Sequence, residues 1–450
     1  MSIGDLKHTV KNLKSGGMVL VLNTGAVINP ESEAMIQALH SRSTGGVKSH
    51  LEILAKKGAE NFMANFYVGY GHKSIGDCGT ITLFVEGISM LAAKAIQDWH
   101  LYSGQEASTR YVDFSQQTFL NPVESKEGEE ILESWRSFYL DSMEEVKTHL
   151  RQQFPKAEDE EEKIYQKAIA ARAFDIMRGF LPAGASTNIA WHTNMRQAAD
   201  KIALLRHHPL AEVQNIAAVM QEALEEAYPS SFSHKLFETT ENYNHSWMQN
   251  DYYFEHDAYP ETTLLCNNIN QDLLKTYKNV LESRPQKTEL PKFIAECGTL
   301  QFGFMLDFGS FRDIQRHRAV IQRMPLLTSR HGFADFYFNS LPENLRQKAK
   351  DFVLSQEEKI KNLNLSKELA QYYLAMGYNL PNRVTGDLAA LVYLVELRGT
   401  RFVHPTLQKR AIEMAKILEK EFSSFGLKLH LDQDPGRFDV KRGEHDIVMK

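Results

Sequence analysis

Cysteine is scarce in this chain and falls in no recognisable pattern. Cys78, Cys266 and Cys297 are scattered over 450 residues without a CxxC pair. That excludes a disulfide framework and a four-thiolate zinc site, and it fits a reducing cytoplasm. There is no GxGxxG after a strand-like run, no GxxxxGK[ST] and no GxSxG, so a Rossmann dinucleotide site, a P-loop and a serine-hydrolase elbow lack support. HExxH is missing as well, which leaves His192, His207, His208 and His404 without zinc spacing. No apolar run approaches the roughly 18 residues of a membrane span, and the amino terminus carries no signal-peptide pattern.

What is present is ordinary globular composition, 43% hydrophobic and 24% charged, with a net charge of −6. This argues against a general nucleic-acid or anionic-membrane surface and leaves room for a local basic pocket. The length suffices for two or three domains with proper cores.

The chemistry is most concentrated at Ser103–Tyr111, SGQEASTRY, where Ser103, Gln105, Glu106, Ser108, Arg110 and Tyr111 fall within nine residues. The preceding run Glu86–Gln97, EGISMLAAKAIQ, is Ala-rich with apolar residues at helical spacing, so the polar run should emerge from a buried helix. The Arg110 guanidinium suits a phosphate or a pyrimidine carbonyl. Serine hydroxyls can donate to the same anion, and Glu106 can hold a sugar hydroxyl or an amide edge. The same residue types also build a capped turn.

Apolar spacing predicts strands at Gly17–Asn23 and Thr80–Val85. Helices are expected at Pro30–Ser41, Val47–Gly58, Glu124–His149, Ala157–Arg178, Asn194–Arg206 and Pro209–Ala227. Residues 1–17 read as a polar leader. Ser230–Asn250, polar and aromatic without clear periodicity, reads as a linker.

An internal repeat organises the whole chain. KSIGDCGT at Lys73–Thr80 returns as KFIAECGT at Lys292–Thr299, identical at five of eight positions. In the same order, Pro30-Glu31 pairs with Pro260-Glu261, Asp98-Trp99-His100 with Arg316-His317-Arg318, Leu181-Pro182 with Leu380-Pro381, and Arg206 with Arg398. This implies a duplicated domain, one copy over residues 1–235 and the other over 236–450. Cys78 and Cys297, equivalent in the repeat, read as small buried thiols.

DWHLYSGQEASTRY from Asp98 resembles the hallmark RHRxxSxxxxSxRY of the flavin-dependent thymidylate synthase (ThyX-like) family. Gly71-His72 with Ser74 and Asp77, then EGIS, Arg172, Asn194, Arg196 and Arg206 are similar to further positions of that family. The resemblance implies a helix-rich α+β fold with a small antiparallel sheet in each copy. It also implies transfer of a one-carbon unit from methylenetetrahydrofolate to carbon 5 of dUMP, with FAD reduced by NADPH and no attacking cysteine. By carry-over, Ser103, Gln105, Glu106, Ser108, Arg110, Arg172 and Arg206 would bind the nucleotide, Ser108 and Arg206 being catalytic. His72, Asn194, Arg196, Arg316, His317 and Arg318 would bind the flavin.

The departures from the hallmark are complementary. The first copy has Asp98-Trp99-His100 in place of RHR, whereas the second keeps RHR but follows it with AVIQRMPLLTS, without the serines, the Glu or the Arg-Tyr. Gln371 stands where the first copy has Arg172. Composite sites are therefore expected, nucleotide groups from one half and flavin groups from the other, in a homodimer that mimics the family's tetramer. Two alternatives remain open: a non-catalytic flavin- or nucleotide-binding relative, and a flavin-dependent methyltransferase acting on another uridine nucleotide.

Overall fold

A computed structural model describes residues 8–22, 29–40, 46–107, 112–254 and 257–432. In chain order, β1 (His8–Asn12) and β2 (Met18–Leu22) precede α1 (Pro30–His40) and α2 (Gly46–Lys57). β3 (Thr80–Ser89) runs straight into α3 (Met90–Gln97), followed by β4 (Ser103–Glu106), α4 (Lys126–Gln153) and α5 (Glu162–Met177). Then come β5 (Ser186–Asn194), α6 (Met195–Leu205), α7 (Ala211–Ala227) and α8 (Glu238–Tyr252). The second half contributes β6 (Thr263–Asn267), β7 (Thr299–Asp307), α9 (Phe308–Ile314), β8 (Ile321–Arg323) and α10 (Glu343–Asn362), then β9 (Asn379–Asp387), α11 (Leu388–Arg398) and α12 (Pro405–Phe422).

The fold is α+β and helix-rich, with two similar sheet-plus-helix lobes. One sheet has the order β1-β2-β3-β5-β4 and the other β6-β7-β9-β8, with antiparallel pairing throughout. The central pairs correspond in register: Thr80 faces Asn194 in the first, Thr299 faces Asp387 in the second. β3 shows why a strand forms here. Ile81, Leu83 and Val85 are buried at alternate positions, the two-residue period of a pleated ribbon with one face in the core. α3 is buried on every side, including Lys94 and Gln97.

The described residues fall into two compact units. The first holds β1–β5 with α1–α3, α6, α7 and α8 up to Asp251; the second holds α4, α5 and the elements from β6 onward. Thus α4 and α5, which precede β5 in sequence, pack in the second unit, where Trp135 Nε1 donates to the Tyr373 carbonyl at 2.9 Å.

Four expectations change. The polar leader contains β1, which pairs with β2. The expected linker at Ser230–Asn250 is largely helix α8. Leu181-Pro182 corresponds to Leu374-Ala375, not to Leu380-Pro381, because each follows a short 3-10 turn and precedes β5 or β9, whereas Pro381 lies inside β9 opposite Met305. These two equivalent loops bond to each other reciprocally, Ala183 N to Leu374 O and Met376 N to Leu181 O, both at 2.8 Å. By the same equivalence the counterpart of Gln371 is Arg178 rather than Arg172, since each opens its turn three residues before the leucine.

Candidate functional site

In the first unit the polar run begins as an edge strand. β4 pairs with β5, Ser103 opposite His192 and Gln105 opposite Ala190, so backbone bonds hold it whatever its side chains are. Ser103 and Gln105 are exposed, and Glu106 is half-buried and accepts from Gln97 Nε2 at 2.9 Å. Ser108 and Arg110 lie outside the described residues.

The degenerate triplet is tied to α6. Trp99 Nε1 donates to Gln197 Oε1 at 3.0 Å, and Lys201 Nζ donates to the Asp98 carbonyl at 2.8 Å. The Asp98 carboxylate pairs with Lys94 at 2.9 Å. Burial pushes the Lys201 ammonium down to about 8. Burial and the nearby Lys94 and Lys201 charges hold His208 well below the usual imidazole range.

His72 sits just before a short helix at Lys73–Gly76, its ring stacked on Tyr70 with centroids 6.1 Å apart. Asp77 at the end of that helix accepts from Arg196 Nε at 2.7 Å, so the fold joins the His72 segment to the start of α6. Asn194 is the cap of α6, its Oδ1 accepting from Gln197 N at 2.9 Å. Arg206, at the other end of α6, donates from Nη2 to Glu241 Oε1 at 3.1 Å.

The second unit contains the other candidates. Arg172 is half-buried on α5. Arg316 and Arg318 are exposed on the turn after α9, flanking a buried His317. His317 Nε2 accepts from Arg398 Nε at 2.7 Å, and burial, with Arg398 beside it, pushes the imidazole down to about 3. It is therefore neutral, with its proton on Nδ1. Burial raises the Asp313 carboxyl, but Arg178, Arg398, Arg316 and Arg312 together hold it below the usual range.

A buried network lies behind this turn. Asp307 Oδ2 accepts from Ser310 N at 3.0 Å and from Tyr337 Oη at 2.7 Å, and Arg178 Nη2 donates to Ser310 Oγ at 2.9 Å. His404, pushed down to about 4 by burial and then by Arg178, joins Ser310 Oγ at 3.1 Å to the Asp175 carbonyl at 2.9 Å. Among the described residues no group of three or more His, Cys, Asp or Glu side chains is placed to hold a metal ion, and no helix is long and apolar enough to cross a membrane.

With this geometry in view, residues 26–230 match the family described as thymidylate synthase complementing protein, Thy1. The chain is a distant relative of that family. Over more than either half, it is also similar to UPF0159 proteins. That of Chlamydia muridarum is 24% identical over 420 residues, 80% of this chain and 78% of the relative. That of Chlamydia pneumoniae is 24% identical over 398 residues, 76% of this chain and 75% of the relative. That of Thermoplasma acidophilum is 22% identical over 432 residues, 80% of this chain and 86% of the relative. The Thy1 match spans β3, β4, β5 and α6, the elements that carry the first unit's candidate residues.

Sequence reasoning missed Glu241, Lys201 and Arg178. Only Arg178 had a usable signal, its spacing to Leu181 repeated by Gln371 and Leu374.

Proposed function

We propose that this protein is a flavin-dependent, ThyX-like methyltransferase that passes a one-carbon unit from methylenetetrahydrofolate to carbon 5 of dUMP. The observation that carries the reading is the Thy1 match over residues 26–230. A transferred methylene needs two electrons to become a methyl group, and FAD reduced by NADPH supplies them.

In this reading Ser108, Arg110 and Arg172 hold the nucleotide phosphate, and Ser103, Gln105 and Glu106 meet its polar edges. The Arg206 guanidinium stabilises charge that builds on the uracil ring, with Ser108 as its catalytic partner. His72, Asn194 and Arg196 lie against the flavin, and Arg316, His317 and Arg318 bind its phosphates. The cationic surroundings of Asp313 fit an anionic group such as a pyrophosphate. A neutral His317 contributes a hydrogen-bond donor and no charge. Duplication at 235/236 and a homodimer equivalent to the family's tetramer complete the proposal.

The test is the visible absorption spectrum of the purified protein before and after adding dUMP. A flavin spectrum that shifts with dUMP, and shifts less with uridylate, is expected. Absence of flavin even after FAD is supplied would replace this reading with a non-catalytic one.

A further inference from the structure

The carboxylate of Glu241 spans two adjacent donors. Oε1 accepts from Arg206 Nη2 at 3.1 Å, and Oε2 lies 2.9 Å from His207 Nε2. The side chains of Arg206, His207 and Glu241 are 23%, 17% and 23% exposed, so a small molecule can reach them. Burial raises the Glu241 carboxyl, but His207 and Arg206 hold it below its ordinary value, and it is ionised at neutral pH. The grip on Arg206 is one-handed, because only Nη2 is used and Arg206 Nε is buried without a hydrogen-bond partner. A guanidinium prefers a planar partner with two acceptors.

Glu241 belongs to α8, a helix along which, among the described residues, no other element packs extensively. It lies on the stripe that continues through buried Asn244 and Met248, whereas Tyr243 and Trp247 face outward, 67% and 47% exposed. The Glu241 bridge joins this helix to the end of α6, where His245 of the same helix also packs edge-on to the His207 ring, centroids 6.0 Å apart.

We propose that Glu241 is a latch: from within the chain it occupies a donor pair, Arg206 and His207, that takes a planar ligand with two neighbouring acceptors, and α8 lifts when that ligand binds. The inference rests on the function proposed above in one respect, that the ligand is the pyrimidine edge of dUMP. Nucleotide affinity is then set by a competition inside the protein.

The experiment uses the full chain with Glu241→Gln and Glu241→Ala, following amide hydrogen exchange across α8 and the Kd for dUMP by calorimetry. Glu238→Gln is the control, since Glu238 shares the first turn of α8 and is exposed. A half-exposed ion pair shifts an equilibrium by about fivefold. Both Glu241 variants should therefore exchange about fivefold faster in α8 and bind dUMP about fivefold more tightly, with the control unchanged. Unaltered α8 exchange in Glu241→Gln, or an equal rise in Glu238→Gln, would overturn the latch. Faster exchange with unchanged or weaker dUMP binding would overturn the competition. If α8 loosens and neither wild type nor variant binds dUMP, the latch stands and the nucleotide reading fails.

Discussion

At the scale of single residues, Asp98 shows what the first copy has in place of the second copy's Arg-His-Arg triplet. Where the second copy has Arg316-His317-Arg318, the first has an aspartate answered by Lys94 and by a buried Lys201. Lys201 has a folded-state pKa of about 8 against an ordinary 10.5. Below pH 8 it is charged in both folded and unfolded chains, and burial of that charge costs stability. Above pH 10.5 it is neutral in both, and the cost is gone. Stability from this group therefore rises between pH 8 and 10.5, by on the order of 3 kcal/mol. Lys201→Met should be more stable than wild type at pH 7, and the difference in urea midpoints should shrink as pH rises through that window. A constant difference would show that Lys201 is not buried as a cation. Nothing local in the sequence marks Lys201, because its burial is a property of what packs around α6.

Among the elements, EGIS is where motif and geometry meet most closely. Gly87 has a φ of +69° at a register shift between Val85 and Ile88, so the motif is a β-bulge before it is a helix entry. An added Cβ at Gly87 would stand 2.8 Å from the Gly17 Cα, a backbone atom that cannot step aside. Ser89 then caps α3 by accepting from Ala92 N at 3.0 Å, and it donates through N and Oγ to Glu212 at 2.8 and 2.6 Å. Gly87→Ala is expected to lower unfolding stability by about 2 kcal/mol or more, measured by denaturant titration; a change within about 0.5 kcal/mol would contradict the bulge. Helices with an inward apolar stripe were legible from period alone. α8 was not, because its aromatics Tyr243 and Trp247 face outward and its inner stripe includes Asn244 and Glu241. β4 was hidden for a different reason: an edge strand is held by backbone bonds, so SGQE needs no apolar alternation.

For the molecule as a whole, the two lobes share a four-strand order, β2-β3-β5-β4 and β6-β7-β9-β8, and a central register, while their hallmark residues differ in complementary ways. If the second lobe supplies the flavin phosphates' partners, Arg316→Ala should lose bound FAD while keeping wild-type far-UV circular dichroism. Retention of FAD at wild-type stoichiometry would remove that lobe's arginines from cofactor binding. Arg316 suits this test because it is exposed, and Arg178, Arg398 and Arg312 still surround Asp313 when it is removed.

By itself, the sequence determined the repeat, the strand that follows KSIGDCGT, and most helices of the first half, since these depend on neighbours a few residues apart. Tertiary structure alone decided that α4 and α5 pack in the second unit and that Glu241 holds Arg206. Each of those rests on contacts between residues far apart in the chain, whose partners are chosen by packing and burial and leave no periodic trace.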